Sequence, residues 1–235
     1  MNASSSNRAT VVLVHGAWAD ASSWRSVISR LQKQGASVVA VQNPTTSLSA
    51  DVQVVRHALN GIDGPVVLVG HSWGGTVITE AGNDPKVKAL VYVAAFAPDV
   101  GQSTGDEVAA YPSPPGLGKI SLDRGGSYMM SVDGWINDVA QDLPEEEARV
   151  LAAVQPPLGA GTFSDKVTEV AWSDRRNWYV VSTEDRAVSV ELQRALAKKL
   201  KARTTELKAS HMSLLSQPDA VASVILEAVS ETSAR

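Results

Sequence analysis

Apolar residues fall along the chain in two alternating rhythms. Val11–Val14, Val38–Val41, Val66–Val69, Val87–Phe96 and Trp178–Ser182 are short, largely apolar runs rich in β-branched residues, the pattern of strands buried on both faces. Between them apolar positions recur every three or four residues. Trp24, Val27, Ile28 and Leu31 predict a helix over 24–34, which Ser22 or Ser23 can cap and Gly35 stops; Val52, Val55 and Leu59 predict another over 49–60. Further on come a helix over 190–200, a short strand over 204–208 and a terminal helix opening at Pro218 or Asp219 and running to about Val229. Strands alternating with helices imply right-handed crossovers and a doubly wound α/β architecture, with a mostly parallel sheet of about six strands.

From about Val100 to Trp172 this rhythm stops. Gly and Pro cluster at 112–118, 125–126 and 156–161, while 135–139 and 145–154 can form short helices. So long a stretch, read as free of strands and lying between two sheet strands, is expected to be an inserted cap rather than a structureless loop. The expected organisation is a single domain, with a core over about 10–99 and 173–230 and a cap over about 100–172. Met1–Thr10 is expected to be a flexible leader.

Composition narrows the function classes. With 235 residues, 44% of them hydrophobic, the chain can bury one sizeable core. The net charge is −4 without a basic stripe, so nucleic-acid binding has no electrostatic support. No apolar run reaches the roughly 20 residues of a membrane helix, and the polar N-terminus has no signal-type apolar stretch, so a cytoplasmic protein is expected. Cysteine is absent, which excludes disulfides, a thiol nucleophile and cysteine-based metal sites. The imidazoles are His15, His57, His71 and His211.

The strand at 66–69 runs into Gly70–His71–Ser72–Trp73–Gly74–Gly75, and a helix resumes at Thr76. Gly-x-Ser-x-Gly on a sharp strand-to-helix turn is a nucleophile elbow: the serine is held in a strained conformation, its Oγ clear of the sheet, and side chains two residues away on either side would strike facing backbone. The alternative is a plain strand–turn–helix with Ser72 as its cap.

A serine needs a base within reach and a group to orient that base. His211 suits the base, since it lies in the loop after the last strand, where a parallel sheet places its carboxyl edge beside the elbow. His71 should point away from its neighbour, His15 should brace the loop it begins, and His57 should be a surface residue. Asp185 follows the 178–182 strand, and the order Ser72, Asp185, His211 is that of nucleophile, acid and base in hydrolases on open parallel sheets. Asp99, at the end of the preceding strand, remains the competing acid, and Glu184 should face the opposite way. The N–H of Trp73 and that of Ala17, in the loop His15–Gly16–Ala17–Trp18, are the candidate oxyanion donors. Gly16, Trp18, Trp73, Tyr128, Trp135 and Met212 are candidates for the substrate pocket.

Together, His15–Gly16–Ala17–Trp18, the elbow, Ala97–Pro98–Asp99, Thr183–Glu184–Asp185 and Ser210–His211–Met212 resemble an α/β-hydrolase. Within that superfamily the chain is most similar to the small branch of plant methylesterases, hydroxynitrile lyases and bacterial esterase relatives. The resemblance spans about 10–99 and 175–229 and is weak in the cap. It implies a cofactor-free, metal-free carboxylesterase acting through Ser72, His211 and Asp185. The expected partner is a small-molecule ester, with a homodimer left open. Lyases of this branch carry a threonine where this chain has Gly16 and a lysine where it has Met212, which favours ester hydrolysis over cyanohydrin cleavage. Lactonase, amidase or acyltransferase chemistry, and a ligand receptor without turnover, are the remaining readings.

Overall fold

The computed structural model describes residues 8–233. In chain order the first half runs β1 (Thr10–Val14), a 3-10 turn (Ala21–Trp24), α1 (Arg25–Lys33), β2 (Val38–Ala40), α2 (Leu48–Asn60), β3 (Val66–His71), α3 (Trp73–Ala81) and β4 (Val87–Val93). Most of the expected leader, residues 1–7, lies outside the described residues, and Thr10 already belongs to β1. The expected serine cap before α1 is corrected: the side chain of Asp20 accepts from Ser22 N and caps the 3-10 turn. Gly35 does end α1, with φ +72°, a conformation that costs a residue without Cβ nothing.

The middle of the chain holds α4 (Thr104–Ala109), β5 (Ile120–Leu122), β6 (Ser127–Met130), α5 (Val132–Gly134) running into a π turn (Trp135–Val139), α6 (Glu145–Val154) and β7 (Leu158–Gly159). The short helices over 135–139 and 145–154 are where the sequence places them. The expectation of a strand-free insertion is corrected, because β5, β6 and β7 form a small antiparallel sheet. The chain then returns with β8 (Arg176–Ser182), α7 (Val190–Lys199), β9 (Arg203–Leu207), α8 (Ser213–Ser216) and α9 (Pro218–Ser233).

Six strands make one parallel sheet in the order β2-β1-β3-β4-β8-β9. Alternate residues of the four central strands, β1, β3, β4 and β8, feed two cores. Val11, Leu13, Val67, Val69 and Val91 pack under Trp24, Val27 and Leu31 from α1 and Val221 and Ile225 from α9. Val12, Val14, Leu68, Leu90 and Tyr92 pack under Val52, Val55 and Leu59 from α2, Ile78 from α3, and Leu192 and Leu196 from α7. All six residues of β3 are buried; at roughly 1.5–3 kcal/mol for each large apolar side chain, this strand is the centre about which the two layers are wound.

The insertion lies over the carboxyl edge of the sheet and is bonded to the loops after β1, β2, β8 and β9. Trp18 Nε1 donates to Tyr128 O (2.9 Å), Gly159 N to Thr45 O (2.8 Å), Gly116 N to Arg186 O (2.8 Å) and Ser210 N to Asp142 Oδ2 (2.8 Å).

Candidate active site

Ser72 has φ 52° and ψ −123°, a region that non-glycine residues rarely enter. The surroundings hold it there: Ser72 N donates to Val93 O, and its carbonyl accepts from Gly75 N (2.9 Å) and Phe96 N (3.3 Å). A Cβ at Gly70 would stand 2.5 Å from Gly74 O, and one at Gly74 would stand 2.5 Å from Val14 O, so the glycine spacing is dictated by backbone packed against backbone.

The sequence left two acids open, and the fold brings one of them to His211. His211 Nδ1 lies 2.7 Å from Asp185 Oδ2, with both side chains buried. The Asp185 carboxylate is fully engaged: Oδ1 accepts from Ala187 N (2.8 Å) and Val188 N (2.9 Å), and Oδ2 also accepts from Gln193 Nε2 (2.8 Å). These donors fix the carboxylate and aim one oxygen at the imidazole. Asp99 is elsewhere, 3.3 Å from Lys199 Nζ and half exposed, while Glu184 is exposed beside Lys208. Gln193 escaped the sequence reading. On α7 it donates to Asp185 while its Oε1 accepts from Ser182 N (3.0 Å), a bridge that nothing local in the sequence announces.

His71 turns its side chain to the His211 loop. Its ring lies 4.6 Å from that of His211, centroid to centroid, and its Nε2 is 2.9 Å from His211 O. A carbonyl can only accept, so this nitrogen carries the proton. Complete burial, with the His211 ring beside it, holds the His71 pKa well below the usual imidazole value, so it supports the His211 loop as a neutral donor. His15 braces its loop as expected, through Gly16 O (2.9 Å) and Asn43 N (2.9 Å), and burial lowers its pKa as well. His57 is exposed.

Ser72, His71 and His211 open into one cavity of about 100 Å³. Its walls are otherwise apolar. Trp18, Trp135 and Met212 line it, as does Ala17; Phe96, Leu117 and Phe163 line it without having been singled out. Tyr128 and Gly16 are corrections to the candidate pocket. The Tyr128 ring stacks behind Phe163, with centroids 6.3 Å apart. Gly16 packs beneath Ser72, where a Cβ would stand 2.8 Å from Ser72 Cβ. The indole of Trp73 likewise lies behind the wall, edge-on to Phe163. Strain in the 15–18 loop falls on Trp18, at φ 57°. Among the described residues, no hydrogen-bond partner is found for the backbone N–H of Ala17 or Trp73, the two donors flanking Ser72. Larger grooves of about 590 and 660 Å³ lie at the other end of the sheet, away from Ser72 and His211.

Residues 11–224 match the model of the α/β hydrolase family. The chain belongs to that family. Its similarity reaches the methylesterase branch: it is 28% identical to Methylesterase 7 of Arabidopsis thaliana, over 94% of this chain and 96% of that one. It is 26% identical to Probable hydrolase R7 of Phoma sp., over 92% and 96% of the two chains. The crystal structure of polyneuridine aldehyde esterase superposes with a TM-score of 0.81 at 22% identity, covering 94% of this α/β hydrolase and 99% of that chain, a likeness of fold. The fold class read from the sequence is thus the observed one.

Proposed function

We propose that this protein is a cofactor-free serine hydrolase that cleaves small carboxylic esters. The observation that carries the reading is the buried His211–Asp185 pair, converging with a strained Ser72 on one apolar cavity. Ser72 Oγ attacks the ester carbonyl as His211 Nε2 takes its proton, and the carbonyl oxygen, now an oxyanion, is stabilised by the N–H groups of Ala17 and Trp73. His211 returns the proton to the leaving alcohol, giving an acyl-Ser72 intermediate. Water, deprotonated by His211, then releases the acid. Asp185 keeps the imidazole in the Nδ1–H tautomer and stabilises its cation. Among the described residues the hydrogen bonds of this constellation lie at the acid–base end; Ser72 and His211 share a cavity wall without one, a contact that substrate commonly tightens.

The cavity wall includes no lysine or arginine, and Met212 occupies the place next to His211. A free carboxylate or phosphate buried there would lose its hydration without a partner, so the substrate is a neutral ester with a compact apolar part facing Phe96, Leu117 and Phe163. No helix among the described residues is long and apolar enough to cross a membrane.

A fluorophosphonate probe with a panel of p-nitrophenyl esters of rising acyl length tests the reading. Labelling confined to Ser72, with turnover of short acyl esters, is the expected result. An unlabelled protein that still binds esters would favour a receptor, and faster cyanide release from mandelonitrile than ester turnover would favour a lyase.

A further inference from the structure

Of the buried carboxylates that these steps leave unused, Asp51 is the most deeply buried. Asp51, on α2, is 0% exposed, and among the described residues no cation lies within ion-pair distance of it. Burial, with the Asp165 carboxylate nearby, pushes its pKa up to about 6 against the pull of two hydrogen bonds. Those bonds go to different parts of the protein. Oδ2 accepts from Trp73 Nε1 at 2.7 Å, and Oδ1 accepts from Thr45 N at 2.8 Å. An apolar side chain would fill this position at lower desolvation cost, so what the carboxylate holds must account for it.

Trp73 is the first residue of α3 and follows the nucleophile. Its indole is fully buried, and its ring meets Phe163 edge-on at 6.2 Å, directly behind the cavity wall. Thr45 has φ 54°, and it carries the insertion: its carbonyl accepts from Gly159 N (2.8 Å), and its hydroxyl donates to Pro157 O (2.9 Å), on either side of Leu158 in β7. One carboxylate therefore clamps the side chain next to Ser72 to the loop on which the cap rests.

We propose that Asp51 is a positioning residue for the oxyanion hole, fixing the Trp73 indole, and with it the backbone N–H of Trp73, against the Thr45 loop that seats the cap. This rests on the hydrolase reading, in which that N–H meets the oxyanion. The oxyanion exists only as the carbonyl is attacked, so a misplaced donor lowers kcat and spares KM.

The test compares Asp51→Asn, Trp73→Phe and the double variant. In Asp51→Asn the amide keeps the volume but can accept only on one side, so one of the two N–H donors loses its partner. Trp73→Phe removes the indole N–H together with part of the buried ring, and leaves the Asp51 carboxylate with Thr45 N as its remaining partner. Each single variant is expected to lose about 10- to 100-fold in kcat, less than deletion of an oxyanion donor, with KM within about twofold. Affinity for a trifluoromethyl ketone analogue, which forms a tetrahedral adduct on Ser72, should fall by the same factor, while affinity for the carboxylic acid product stays put. The double variant should lose no more than the worse single one, because both cut the same link. Wild-type kcat and ketone affinity in Asp51→Asn, or losses that multiply in the double variant, would overturn the proposal. If Asp51→Asn does not fold, full kcat in Trp73→Phe overturns it. Ser72→Ala separates the two ideas: retained turnover there removes the hydrolase reading, whereas a dead Ser72→Ala beside an unaffected Asp51→Asn removes only this one.

Discussion

The two ends of the sheet make opposite kinds of surface. At the amino ends of the strands the grooves are wide and cationic, with Lys86, Lys88, Arg175, Arg176, Lys201 and Arg203 along them. Four of these side chains, Lys88, Arg176, Lys201 and Arg203, are exposed, and two of those are already answered: Arg176 bonds Glu231 at 3.0 Å and Arg203 bonds Glu227 at 2.6 Å. Pairs of this kind contribute at most about 1 kcal/mol each. At the carboxyl ends the cavity is small and apolar, yet both imidazoles that meet it are buried and held by a hydrogen bond, His211 to Asp185 and His71 to the His211 carbonyl. Volume is thus a poor guide to chemistry here. What marks this end is strain at Ser72 and Trp18, two N–H groups without a partner among the described residues, and a histidine whose carboxylate partner is bonded through both oxygens.

The largest effect expected from this contrast is at Ser72. Ser72→Ala should cost about 10⁴–10⁶ in kcat with little change in thermal stability, measured by ester hydrolysis beside a melting curve. Arg176→Ala at the opposite end should leave kcat within about twofold, and the reverse ranking would break the comparison. Next in size is the acid. Asp185→Asn should lower kcat by about 10⁴ by favouring the wrong imidazole tautomer, while Asp99→Asn, which only releases Lys199, should cost less than about threefold.

A smaller effect sharpens the idea that support behind the acid matters. Gln193→Leu removes a donor to Asp185 and the acceptor of Ser182 N, so kcat should fall by roughly tenfold. An unchanged kcat would show that the backbone donors of Ala187 and Val188 suffice.

The smallest effect concerns Glu107, where the insertion meets the core. It accepts from Ala97 N (3.1 Å) and faces Lys199 (3.3 Å), and burial pushes its pKa up to about 7. A carboxyl whose folded pKa exceeds its unfolded value gives stability that is present below the unfolded value and lost as pH rises towards 7. The Glu107 share of stability should therefore shrink between about pH 4.5 and 7. Glu107→Gln should flatten the dependence of Tm on pH across that window by about 2–5 °C, read by calorimetry at a series of pH values. A slope identical to wild type would place the titration elsewhere.

What the sequence determined by itself is what is encoded within a few residues. The apolar run Val66–Val69, the glycines at 70 and 74 and the helix after Trp73 specify a buried strand and a strained turn from local sterics alone, and they reappear as β3, Ser72 at φ 52° and α3. Strand–helix alternation was equally local, and so the doubly wound sheet was legible. Tertiary structure decided everything that depends on two distant segments meeting. Asp185 and Asp99 both follow strand ends, and only the placement of the His211 loop beside β8 distinguishes them. Gln193, Phe163 and Asp51 carry no motif; each matters through a partner 8, 90 or 22 residues away, at Asp185, Trp73 and Trp73 respectively. The strands of the insertion escaped notice for the same reason. With two to four residues each, they have too little periodicity to be read, and they exist because their backbone groups pair with one another.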